Sequence, residues 1–499
     1  MYSSDDTTMY YVSKSIVEEF NTDLQLDSIS PNTFGLISAR FGTNYRLYSS
    51  YPILQPLLAV PLFIIGNFFA SFFHPDFYNF IIRLFYVSLF NPIIIALTAI
   101  VLFSLLTRIY SEKVSLIVTL LFGLGTVVWP HSQTFLSEPL TTLFLLLTFY
   151  FLYKYKHNFE IKNLIVSGIF FSLAFSAKIV SILVPPTIFI YLILEKDQDG
   201  RLYFDLRNIK YCIIFILSAL PIIFLNQLYN LFIFGSFFTS SYGKYGFIDW
   251  SLVKPFYLGI YGFLLSPGRS IFVYSPPLLL FFFSIRQFYK KHKLEAIFLI
   301  LFILAFLLFF SGLNFWHGQN SWGPRYLYYL IPFFLIPIGY CIDYLINKKH
   351  GYKFLTLLFI ISIFIQLLGF SMNYGYYLGY INTSLPPQEK DDASQPSIWW
   401  YTVHFNPYYS PILGHLRLLP SLIKNTFITQ KVPKMPFDPQ GLYAWYWSPV
   451  LDFWWAWWYY SGLPKIFIGF LILPISYALI SGYRLYKKAR MEEKQNKDS

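Results

Sequence analysis

Apolar runs recur along the chain from Pro52 to Tyr483, separated by short charged loops. Each is long enough to enter or cross about 30 Å of hydrocarbon. They predict membrane helices at about 80–107, 114–130, 138–153, 164–177, 179–194, 211–234, 271–285, 295–313, 326–346, 354–372 and 464–484, about eleven in this chain. The stretch 164–194 is too long for one helix and carries Lys178 at its middle, with Pro185-Pro186 beyond. It reads as two short crossings that meet at Lys178, near a membrane surface. The run from Pro52 to Phe73 is punctuated by Pro52, Pro56, Pro61 and Gly66, and reads as a juxtamembrane segment lying in or on the outer face. The alternating ten-residue segments of a membrane β-barrel are not seen. The fold class expected is an all-α polytopic membrane protein.

Composition removes the soluble alternative. Hydrophobic residues make up 56% of the 499, aromatics 22% and charged residues only 12%; the mean hydropathy is +0.50, so polar side chains are too few to cover a soluble surface. The net charge of +12 comes from short basic clusters between apolar runs, which sets topology and gives no nucleic-acid face. If the loops at 108–113, 154–163, 195–210, 286–294, 347–353 and 484–499 face the cytoplasm, they hold 22 of the 37 Lys and Arg, as the positive-inside rule requires. Cys212 and Cys341 lie within apolar runs and offer neither a disulfide framework nor a metal site.

This orientation divides the chain into an outer loop with juxtamembrane helices (1–79), a transmembrane core (80–372), an extracytoplasmic Trp-rich insert (373–463), and a last helix with a basic cytoplasmic tail (464–499). Met1 is followed by Tyr-Ser-Ser-Asp-Asp, with neither a signal peptide nor a first helix to export the head. The expectation is a true N-terminus further upstream and a missing first transmembrane helix; the alternative is that the segment after Tyr51 acts as a signal anchor. The outward regions, 1–79, 235–270, 314–325 and 373–463, hold most of the irregular sequence, so chemistry is expected on that face.

The candidate residues each admit two readings. Asp5 and Asp6 can supply a general base or start a helix as acidic first-turn residues. Glu138, in Ser137-Glu138-Pro139, is either a functional carboxylate at the membrane border or part of a helix start. Arg269 in Ser266-Pro267-Gly268-Arg269 and Arg325 in Trp322-Gly323-Pro324-Arg325 stand in similar turns; they can grip a phosphate or snorkel to lipid headgroups. Lys178 can serve the same anion or mark a short loop. His131 and His317 face outward without metal-ligand spacing. Asn226, Gln227 and Asn230 can bond a sugar or a neighbouring helix. The insert's Trp399, Trp400, Trp445, Trp447, Trp454, Trp455, Trp457 and Trp458 suit an interfacial belt or sugar stacking.

Ser4-Asp5-Asp6, Met9-Tyr10-Tyr11 and Tyr51-Pro52 together resemble the first outer loop of the polyprenyl-phosphate-sugar-dependent membrane glycosyltransferases. These are the C-type superfamily that includes protein O-mannosyltransferases (glycosyltransferase family 39) and aminoarabinose transferases of lipid A. Ser137-Glu138-Pro139-Leu140, the stretch Gly168 to Lys178, Tyr229-Asn230, Ser266-Pro267-Gly268-Arg269 and Trp322-Gly323-Pro324-Arg325-Tyr326-Leu327 extend the likeness in order over about the first 345 residues. The resemblance implies an inverting glycosyl transfer on the outer face of the plasma (inner) membrane. The donor is a polyprenyl-phosphate sugar, and the acceptor a lipid-linked glycan, a lipid or a protein. Asp5 is matched to the base, with Asp6 second and Glu138 beside them. Arg269, Arg325 and Lys178 are matched to the lipid phosphate, and His131, Asn230 and Trp322 to substrate. No cofactor is required by the sequence, no metal ligands are assigned, and a divalent metal stays open. The alternative is a non-enzymatic flippase, or a polymerase-like carrier of lipid-linked glycans, but the polar residues gather at outer helix ends rather than through the bilayer midplane.

Overall fold

The computed structural model describes residues 4–24, 38–73, 76–238, 256–313, 315–318, 321–384, 398–428, 450–453 and 480. The chain divides into two units, Met1–Leu419 and Pro420–Ser499, and the candidate acids, bases and Arg, Lys and His residues all lie in the first. In the second, the Leu451 N–H donates to Thr426 Oγ1 at 2.9 Å. The expected crossing at 464–484, apart from residue 480, and six of the eight insert tryptophans, Trp445 to Trp458, lie outside the described residues.

The chain opens with helix α1 (Ser4–Glu18), its first turn carrying Asp5 and Asp6. A small antiparallel hairpin follows, β1 (Ala39–Phe41) with β2 (Leu47–Ser49). Helix α1 is fixed to it through the Ser38 N–H, which donates to Thr8 Oγ1, and to helix α2 (Leu54–Ala70) through Ser13 Oγ, which donates to Pro56 O. Helix α2 has 17 residues, roughly 26 Å at 1.5 Å per residue, short of a full crossing. It packs on α3 (Asp76–Ser88), which α4 (Phe90–Leu106) continues.

Local signals account for the next breaks. Ser111 Oγ caps α5 (Glu112–Leu124) by accepting from Val114 N, satisfying one of the N–H groups a helix start leaves open. The helix ends before Gly125, and the expected span 114–130 is completed by a separate short turn, α6 (Val128–His131). Helix α7 (Glu138–Asn158) has a proline in its first turn, where a missing N–H costs nothing. Helix α8 (Ile161–Ala177) stops at Lys178, whose extended backbone (φ −158°, ψ 117°) separates it from a 3₁₀ turn at Ile179–Leu183 and from α9 (Pro185–Ile193). The division expected at Lys178 is thus present. A second hairpin, β3 (Leu194–Lys196) with β4 (Leu202–Phe204), leads to α10 (Ile209–Phe234), which ends at Gly235 with φ 74°, a conformation glycine adopts without Cβ strain.

The remaining elements are α11 (Phe256–Leu264), α12 (Ile271–Tyr274), α13 (Leu280–Lys291), α14 (Lys293–Ser311), α15 (Ile331–Ile346), α16 (Lys349–Ser371), α17 (Tyr374–Ser384), α18 (Ile398–Phe405) and α19 (Pro411–Phe427). The span expected at 271–285 is broken at Ser275 and the 3₁₀ turn Pro276–Leu279. Among the described residues, five helices are long and apolar enough to cross a membrane: Asn79–Leu106, Leu206–Phe234, Lys293–Ser311, Arg325–Ile346 and Lys349–Ser371. Three shorter apolar helices, 54–70, 161–177 and 179–193, accompany them. The chain is a helical, polytopic membrane protein whose only sheets, among the described residues, are the two hairpins. Helices α7, α8 and α10 pack side by side, and Gly168 makes the last contact possible: a Cβ there would lie 2.7 Å from Phe215 O.

Candidate active site

Four charged side chains from four distant stretches meet. Asp5 stands in the first turn of α1, Glu138 opens α7, Lys178 sits at the break after α8, and Arg325 opens the 3₁₀ turn Arg325–Leu330. Lys178 Nζ donates to Glu138 Oε1 at 2.6 Å. Arg325 Nε donates to the same oxygen at 2.5 Å, and its Nη2 pairs with Asp5 Oδ2. Two carboxylates therefore face two cations, with Arg325 as the bridge. The other Asp5 oxygen, Oδ1, accepts the Tyr51 hydroxyl at 2.7 Å.

Exposure grades the four. The Glu138 side chain is 0% exposed, whereas Asp5, Arg325 and Lys178 retain 14%, 11% and 11%. Glu138 is the buried foundation, and the other three are reachable. Burial alone would raise the Asp5 pKa, but the Arg325 charge and hydrogen bond, with Lys178 beyond, outweigh it and hold the carboxyl below its usual range. Lys178 goes the opposite way: burial outweighs the attraction of Glu138, and its pKa is lowered.

Asp6 lies one position on, about 100° around the helix, and faces elsewhere. It is 1% exposed, and its Oδ1 accepts the Phe135 N–H at 2.9 Å. Gln55 Nε2 donates to Phe135 O, and Asn91 Nδ2 donates to Thr134 O at 2.7 Å and Leu136 O at 3.1 Å. Three elements thereby fix the turn that delivers Glu138.

Arg269 and Arg325 share a sequence context but occupy different places. Arg269 is fully buried; its Nη1 donates to the carbonyls of Ser321 and Gly323, and its Nη2 to the Tyr374 hydroxyl at 3.1 Å. Gly323 has φ 68°, and a Cβ there would stand 2.8 Å from Val127 Cγ1. Arg269 thus holds the turn immediately ahead of Arg325. His131 is buried with Nδ1 2.9 Å from Val127 O, so that nitrogen carries the proton; burial lowers its pKa to about 4, and its ring packs 5.2 Å from Tyr328. Asn230 donates to Gln227 Oε1 at 3.1 Å. Trp322 packs 5.1 Å from Tyr274 and 4.6 Å from His415. The structure joins Asp5, Glu138, Lys178 and Arg325 in one bonded set, and seats Asp6, Arg269, His131, Asn230 and Trp322 through these other contacts. Among the described residues no three His, Cys, Asp or Glu gather as metal ligands. The hydroxyl of Tyr51 on Asp5 had no counterpart among the site residues read from sequence, although Tyr51-Pro52 stood in the first-loop motif.

The pattern of the dolichyl-phosphate-mannose-protein mannosyltransferase family matches residues 73–224, which hold Glu138 and Lys178. Crystal structures of ArnT from Cupriavidus metallidurans, one apo and one bound to undecaprenyl phosphate, are similar at 12% identity and a TM-score of 0.50. The match covers 89% of this chain and 79% and 80% of theirs. The chain has the fold of these ArnT structures. The archaeal oligosaccharyltransferase AglB from Archaeoglobus fulgidus, in complex with an inhibitory peptide and a dolichol-phosphate, aligns at 11% identity and a TM-score of 0.45, over 77% of this chain and 54% of that one. No curated protein sequence matches the chain. The family pattern, on an ArnT-like fold, supports a membrane glycosyltransferase dependent on a lipid-phosphate sugar.

Proposed function

We propose that this glycosyltransferase moves a sugar from polyprenyl phosphate to an acceptor hydroxyl on a lipid-linked glycan, a lipid or a protein. The transfer inverts the anomeric centre and takes place on the outer face of the plasma (inner) membrane. The observation that carries the reading is the single network in which one reachable carboxylate, Asp5, stands beside two reachable cations, Arg325 and Lys178. Asp5 removes the acceptor proton as the acceptor oxygen bonds to the anomeric carbon. The bond from that carbon to the phosphate oxygen breaks, and polyprenyl phosphate leaves with the electron pair. Arg325 and Lys178 receive the charge that develops on the phosphate, and electrostatic stabilisation of this kind counts most where water is largely excluded. Glu138, fully buried between the two cations, anchors them, and Arg269 supports Arg325 from behind. Asp5 and Glu138 already face two fixed cations, a setting that favours neutralisation by side chains over a resident divalent ion.

The test uses purified full-length protein in lipid with a panel of labelled polyprenyl-phosphate sugars. Release of polyprenyl phosphate by the wild type and its loss in Asp5→Asn is the expected result. Equal release by both overturns Asp5 as base, and binding without release for every donor points to a carrier.

A further inference from the structure

The geometry points to Tyr51 as a positioning residue for the base. This rests on Asp5 being that base. The two oxygens of Asp5 are held from opposite partners: Oδ1 by the Tyr51 hydroxyl at 2.7 Å, and Oδ2 by Arg325. The two holds differ in permanence. Arg325 is also bonded to Glu138 and is 11% exposed, so an arriving phosphate competes with Asp5 for its guanidinium. When Arg325 turns to the phosphate, Oδ2 becomes the oxygen that accepts the proton, and the Tyr51 bond keeps the carboxylate aimed.

The backbone supports that assignment. Tyr51 lies two residues beyond β2, and its N–H donates to Ser49 Oγ at 2.9 Å. The Tyr51-Pro52 pair then turns the chain into α2, which is itself bonded to α1 through Ser13. The phenol and the carboxylate thus sit on two segments already tied together, and their separation of 46 positions in sequence adds no slack. A phenol fits this role because it donates one hydrogen bond, carries no charge at neutral pH, and leaves the phosphate to the cations. A hydrogen bond donated to a carboxylate favours its ionised form, and the Tyr51 bond stays in place after Arg325 has been drawn away.

The experiment compares wild type, Tyr51→Phe and Asp5→Asn in lipid, measuring kcat, donor KM and the pH dependence of kcat/KM, with thermal unfolding as the check on folding. Tyr51→Phe keeps the ring and removes only the hydroxyl. The expected result is a fall in kcat of roughly tenfold to a hundredfold, the range for a misaligned catalytic group. Donor KM stays within about twofold, and the acid limb of kcat/KM moves to higher pH. An unchanged kcat and pH profile in Tyr51→Phe, alongside an inactive Asp5→Asn, overturns the positioning role alone. An active Asp5→Asn overturns the base assignment itself. A lowered unfolding temperature with an unmoved acid limb assigns Tyr51 a structural role and also overturns the proposal.

Discussion

Lys178 donates to Glu138 Oε1 across 2.6 Å, joining the end of one helix to the start of another 40 residues earlier in the chain. The same oxygen receives Arg325, so a single buried carboxylate oxygen fixes both cations of the site. Removing one partner from a buried ion network strands the others, and the cost exceeds the worth of any one pair.

Glu138→Gln is expected to leave Lys178 and Arg325 as neighbouring like charges with Asp5 alone to balance them. Stability should fall by about 3 kcal/mol, read as a lower unfolding temperature in detergent. Donor KM should rise because the cations lose their fixed geometry. A wild-type melting curve would refute Glu138 as their anchor.

Lys178→Ala and Arg325→Ala each remove one cation from the proposed phosphate site. Each should raise donor KM about tenfold or more, as expected for a charged hydrogen bond worth about 1.5 kcal/mol or above. Because both share Glu138 Oε1, the double variant should fall short of the sum of the singles, with a coupling of about 0.5 kcal/mol or more. Strict additivity in binding of polyprenyl phosphate would count against a shared site.

Arg269→Lys tests whether two similar turns do different work. An ammonium cannot reproduce the fork that reaches two carbonyls and a tyrosine hydroxyl. The variant should lose stability, about 2 kcal/mol or more, and keep a share of its turnover, whereas Arg325→Lys, which breaks a fork onto two carboxylates of the proposed site, should lose turnover outright. Thermal unfolding and product release measured on the same preparations separate the two.

The pH dependence of stability has a definite sign. His131 and His415 are buried and held neutral, their pKa lowered from 6.5 to about 4 by burial. Between those values the unfolded chain binds protons that the folded chain does not, so stability is fully present above pH 6.5 and falls as the pH drops towards 4. At pH 5 the loss is about 2 kcal/mol for each. Unfolding temperatures at pH 7.5 and 5 should show it. His415→Asn, which can keep the bond to Leu368 O, should flatten the slope.

In the proposed mechanism Arg325 and Lys178 meet the charge on the leaving phosphate, so treatment with a chelator should leave glycosyl transfer intact. Loss of activity on chelation, restored by a divalent ion, would reverse that expectation.

Much of the architecture follows from local sequence. Apolar runs mark the membrane helices, Ser111 caps one, Pro139 and Pro185 open two others, and the charge at Lys178 divides a stretch too long for a single crossing. These are decisions made within a few residues, where propensity and capping act. The two places where a continuous span was expected and the chain breaks instead, at Gly125 and Ser275, belong to the same region. Ser275 Oγ accepts the Val127 N–H across 148 residues, a contact that no local pattern reports.

The sequence by itself determined that this chain is a helical membrane protein with polar residues gathered at particular helix ends, and which residue types stand there. Only the tertiary structure decided their partners. Asp5 and Asp6 are adjacent, yet the turn of the helix sends one to Arg325 and the other to the backbone of Phe135. Arg269 and Arg325 read alike, yet packing buries one among carbonyls and leaves the other bridging two carboxylates. The reason is one of range: capping and periodicity act over a few residues, whereas Arg325 meets Asp5 across 320 positions, and only the packing of the intervening helices sets that distance.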